Sequence, residues 1–83
     1  MCTNIATATR VTGSAKTGSG WVSVNEAIVG FDHATHLWTE HALRIDFTNG
    51  AASTAIELDL ASARALRARL DDVIMQAEAS GIE

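Results

Sequence analysis

The stretch from His41 to Asp59 reads as two strands joined at Asn49-Gly50, and this constrains the rest of the chain. Asn-Gly between alternating apolar residues signals a two-residue hairpin, because both central positions of a type I′ turn need positive φ. Folding the chain there pairs Thr48 with Ala51, Phe47 with Ala52, Ile45 with Thr54, Leu43 with Ile56 and His41 with Leu58. The last four pairs share an apolar face, and the opposite face carries Arg44, Asp46, Ser53, Glu57 and Asp59. A one-residue slip would invert that sorting, so the sidedness of the ribbon is strongly specified. His41 is thereby expected on the apolar side.

A ribbon with one apolar face needs a cover, and the residues that follow supply one. Leu66, Leu70, Val73, Ile74 and Ala77 recur at helical spacing, which predicts a helix from about Ser62 to Ala79. Asp59 or Ser62 suits its N-cap and Gly81 its C-terminal stop. Arg64, Arg67 and Arg69 precede Asp71, Asp72 and Glu78, an order that opposes the helix dipole.

Upstream, threonines and β-branched aliphatics in residues 4–12 predict a first strand. Gly13 to Gly20 reads as a glycine-rich loop or irregular hairpin connection. Trp21 to Phe31 reads as a second strand with imperfect alternation: Val22, Val24 and Ile28 fall on one side, Trp21, Ala27, Val29 and Phe31 on the other. Either both faces are partly covered or a bulge shifts the register midway. The expected architecture is a single α+β domain over residues 1–83, a four-stranded antiparallel sheet followed by one C-terminal helix packed on its apolar face.

Size sets the next constraint. At 83 residues the chain buries only about 60–65% of the surface its unfolded form exposes. One cysteine allows no intrachain disulfide, while apolar residues make up 47% of the chain. A bound metal or a second copy remains as the source of extra stability, and a homodimer or higher oligomer is expected. The net charge of −4 and six scattered basic residues argue against nucleic-acid binding. No apolar run approaches the ~20 residues of a bilayer span. The first ten residues lack a signal-peptide pattern, and with a lone cysteine this points to the cytoplasm.

The chemistry-bearing residues are concentrated. His33, His36 and His41 are the chain's only histidines, with Asp32 and Glu40 adjoining two of them. Imidazole is the commonest protein metal ligand, and three of them leave an open position on a four-coordinate ion. Cys2 offers a thiolate as a fourth ligand or reactive group; removal of Met1 would free its α-amine as well. Such donors favour zinc, iron, copper or nickel. Asp32 and Glu40 are the candidate catalytic proton-transfer groups or partners of a ligand histidine, although Glu40 alternates with His41 and so faces away from it on a regular strand. The plain alternative is a core His41 with two surface histidines. The glycine-rich loop with Lys16 lacks the order of a phosphate-binding loop. Trp21 and Trp38 are large enough to anchor an interface or line a pocket.

These segments together resemble a small family of uncharacterised actinobacterial proteins of similar length. The resemblance rests on Met1-Cys2-Thr3, Gly13-Ser14-Ala15-Lys16 with Gly20-Trp21, and Phe31-Asp32-His33 with His36. It continues through Glu40-His41, Ile45-Asp46-Phe47 and Ser62-Ala63-Arg64-Ala65-Leu66. The family pattern places proline at Ala34 and near Leu37, and its absence here implies a looser histidine segment. The resemblance implies kinship and brings no activity with it.

Two functions are therefore weighed. One is a small metalloprotein, in the strongest form an enzyme, with His33, His36, His41 and Cys2 as ligands and Glu40 or Asp32 moving protons. The other is a metal-free oligomeric module whose sheet and helix form a pocket for an apolar small molecule or a partner interface.

Overall fold

The computed structural model describes residues 5–81. In chain order it builds β1 (Ile5–Thr17), β2 (Gly20–His33), β3 (His41–Thr48), β4 (Ser53–Leu58) and α1 (Leu60–Ser80). Each strand pairs antiparallel with the next, giving a meander ordered β1-β2-β3-β4. The fold is α+β, with the sheet followed by a single C-terminal helix.

Three details depart from the sequence expectation. Residues 13–17 and Gly20 lie in strands, so the glycine-rich segment is mostly ladder and only Gly18 and Ser19 form the turn. The Thr17 hydroxyl closes that turn, donating to the Gly20 carbonyl and accepting the Ser19 N–H. Glycine content misleads here because two paired backbones satisfy each other whatever side chains they carry.

The second departure concerns β2. The β1–β2 register shifts between Arg10 and Gly13, with two β1 residues standing opposite Asn25. Val24 and Ala27 are both buried although they lie three apart, so on an alternating strand both faces are covered in part. The extra residue lies in β1, where it bends and twists the ribbon without shifting the alternation of β2.

The third departure is the β3–β4 register. Leu43 pairs with Leu58, Ile45 with Ile56 and Phe47 with Thr54, two residues away from the tight-turn register. The connection is a four-residue loop. The Asn49 side chain accepts N–H groups from Ala51 and Ala52 and donates to the Ser23 carbonyl, while Gly50 alone takes positive φ, at 90°. A type I′ turn would need Asn49 at positive φ as well. The side-chain bonds hold it otherwise. A shift of two preserves sidedness, so the apolar face is as expected. His41, however, stands opposite His33 and beyond the end of β4, not opposite Leu58.

The apolar face runs through the pairs Ala27–Phe47, Val29–Ile45 and Phe31–Leu43, continued onto β4 by Ile56 and Leu58. The other face is polar, crossed by an Arg44–Asp46 ion pair of 2.9 Å. α1 starts on Asp59, whose carboxylate accepts the Ser62 N–H at 2.7 Å, and ends at Gly81 in the left-handed region, with φ of 72°. That cap bond holds the Asp59 carboxyl below its usual range. Asp59→Ala is expected to fray the first turn and lower the helical circular dichroism signal. Acidification below about pH 4 should have the same effect, since a carboxyl with a lowered folded pKa loses its contribution as pH falls through that value.

Candidate functional site

The described residues bury little. Val24, Ala27 and Ala42 alone among them are buried, and no residue of α1 is. The chain exposes 6573 Å². A folded monomer of 8.8 kDa is expected to expose about 4,800 Å². The radius of gyration of 14.5 Å likewise exceeds the about 12 Å of a closed globule of this length.

The open surface is ordered. α1 leans on the sheet through its first half, leaving a groove of about 430 Å³ between them. Val29, Leu43 and Ile45 form the sheet side, and Leu60, Leu66 and Leu70 the helix side. The stripe then continues along α1 through Val73 and Ile74, which are 64% and 51% exposed. A 21-residue helix is about 31 Å long, so its second half extends the apolar strip well beyond the groove.

The histidine corner lies at the end of the same face. His33 and His41 are cross-strand partners, their rings stacked with centroids 5.1 Å apart and planes 18° apart. Phe31 stacks on His41 at 5.5 Å. His36 is elsewhere: it lines a depression on the polar face with Arg44, Ala55 and Glu57, and its Nδ1 lies 2.9 Å from the Thr35 hydroxyl. The structure thus brings together two of the three expected ligands and carries the third to the opposite face. Among the described residues no group of three His, Cys, Asp or Glu side chains is arranged to hold an ion. Cys2 lies outside the described residues. Asp32 accepts the backbone N–H of His33, and Glu40 is exposed in the loop, its carbonyl accepting the Ala34 N–H.

Glu57 is a residue that sequence reasoning placed on the polar face without a role. One carboxylate oxygen accepts the Thr35 N–H at 3.0 Å and the Thr35 hydroxyl at 2.8 Å; the other accepts the His36 N–H at 2.9 Å. The carboxylate therefore fastens loop 34–40 to β4. Nothing local in the sequence signals a bond spanning 22 residues. The Thr35 amide, followed by its hydroxyl, holds the Glu57 carboxyl below its ordinary range. The clamp is then complete above the unfolded pKa of about 4.3 and is lost as pH falls through the lowered folded value. Glu57→Ala should raise amide exchange at Thr35 and His36 by about an order of magnitude or more at neutral pH. Wild type should show the same release only in acid.

The loop tip presents Trp38, which is fully exposed, and Trp21 is also largely exposed at the far end of β2. Single exposed apolar residues are ordinary, and neither tryptophan lines the groove; the strip along the groove and α1 is the continuous apolar feature. No described helix is long and apolar enough to cross a membrane.

An antiparallel meander with a leaning C-terminal helix, an apolar face that its described residues leave largely open and a paired-histidine corner defines a small α+β domain. A model of a family of unknown function (DUF6295) matches residues 1–83, and the chain belongs to that family. No curated protein matches the chain, and no solved structure does.

Proposed function

We propose that this protein is a homodimeric interaction module, in which the apolar groove and the α1 strip of one copy are covered by the same surfaces of a second. One observation carries this reading. The exposed surface exceeds that of a compact monomer by about 1,800 Å². Obligate dimer interfaces remove about 1,000–2,500 Å² from each partner, so the excess has the size of such an interface. Its composition fits as well, since the strip of Leu66, Leu70, Val73 and Ile74 continues the groove and has no covering element among the described residues. An isologous contact, in which the same patch serves both copies, closes the assembly at two and leaves no strip exposed.

An apolar small molecule of groove size would leave Val73 and Ile74 in water, which is why a second copy is favoured as the occupant. The reading is tested by the thermal midpoint as a function of chain concentration. A fold completed by a second copy melts at higher temperature as concentration rises, by mass action. A midpoint independent of concentration over two decades speaks against it.

A further inference from the structure

We propose that His33 and His41 form a two-imidazole half-site for a divalent transition ion, zinc, copper or nickel, completed by the same pair from a second copy. The inference rests on the dimer reading for its second half and on this chain's own geometry for its first. The Ala34 N–H donates to the Glu40 carbonyl at 3.0 Å, which continues the His33–His41 register by one residue. Ala34 and Glu40 therefore occupy a hydrogen-bonded position of the ladder. His33 and His41 take the adjacent non-hydrogen-bonded position, where opposed side chains approach most closely.

The pair is also held. Phe31 stacks on the far side of His41, and Glu57 pins the loop that joins the two strands. His41 is half-buried while His33 is exposed, so one ring is fixed and the other is free to turn on its χ angles. Zinc–nitrogen bonds of about 2.0–2.1 Å at tetrahedral angles need ligand nitrogens about 3.3 Å apart. From stacked rings with centroids 5.1 Å apart, ligation requires the exposed His33 ring to turn out of the stack so that two edge nitrogens converge to that spacing. Imidazole nitrogen selects borderline ions over magnesium and calcium. Two ligands fill half of a four-coordinate shell. The pair lies at the end of the apolar face that the second copy covers, and the shared site requires the two-fold axis to pass through this corner, where each pair meets its own copy.

The test uses untagged full-length protein stripped with EDTA and titrated with zinc by calorimetry, with native mass spectrometry for the ion count. The expected result is one zinc per two chains. His33→Ala and His41→Gln should each weaken binding by at least about tenfold, while His36→Ala, on the opposite face, leaves it unchanged. Circular dichroism of each variant checks that the fold persists, and His33, being exposed, gives the variant least able to disturb it. No zinc uptake, one ion per chain, or an equal loss in His36→Ala would each overturn the shared two-histidine site. Light scattering in EDTA reads self-association separately, so a metal-free dimer that ignores zinc removes this inference and leaves the dimer reading standing.

Discussion

Ile74→Asp is expected to convert the proposed dimer into monomers at micromolar concentration. Ile74 lies on the apolar stripe of α1 past the last groove residue, Leu70, so within one chain its side chain is half in water. A carboxylate there costs an isolated chain little. In the dimer it replaces a buried isoleucine worth about 1.5–3 kcal/mol and adds the cost of an unpaired charge in an apolar contact. The sum exceeds about 4 kcal/mol, a weakening of at least about 1,000-fold. Sedimentation would report the change in mass, and circular dichroism would show that α1 survives. Met75→Asp is the matched control. It places the same charge one residue further on, about 100° around the helix and off the stripe, and should leave the mass unchanged. Equal behaviour of the two variants would mean that the stripe is not an interface.

Val24→Asp should have the largest effect on the fold itself. Val24 is 6% exposed at the bulged end of the sheet, where Val11, Ala15 and Phe47 line the same depression. No cation stands among the residues lining that depression. An unpaired carboxylate buried there is expected to cost about 3 kcal/mol or more. For a domain of this size that is a fall in thermal midpoint of at least about 12 °C. Asn25→Asp, at an exposed neighbouring position, should stay within about 0.5 kcal/mol of wild type. A midpoint for Val24→Asp within a few degrees of wild type would mean that the bulged end of the sheet is not the structural core.

Much of this architecture is legible in the residues. The alternation through Leu43, Ile45 and Phe47 fixes which side of the ribbon is apolar, and the stripe from Leu66 to Ala77 fixes the helix, with both caps at expected residues. Alternation cannot fix a register to better than two residues, because a shift of two leaves every side chain on its face. The Asn49 side chain, bonding its own loop and Ser23, decides that point, and with it the fate of His41. The splitting of the three histidines was equally out of reach. It depends on Glu57 drawing the Thr35 and His36 amides to the polar face, a contact between segments remote in sequence. Spacing of ligand-type residues along a chain says little about their spacing in space when a loop between them is held from elsewhere.

The openness of the fold connects these points. Among the described residues the buried side chains are Val24, Ala27 and Ala42, all small or medium, which is a slight core. Marginal domains of this size need a staple. The proposed dimer would supply one through the apolar strip, and the proposed shared ion at the histidine pair would supply a further tie.

The most direct measurement is the solution mass of untagged protein by sedimentation equilibrium in EDTA, from about one to one hundred micromolar, the range where obligate dimers stay associated. Twice the chain mass of 8.8 kDa at every concentration is expected. A single-chain mass throughout, with a cooperative thermal transition, would contradict the central claim, because the chain would then be stable with its apolar strip in water.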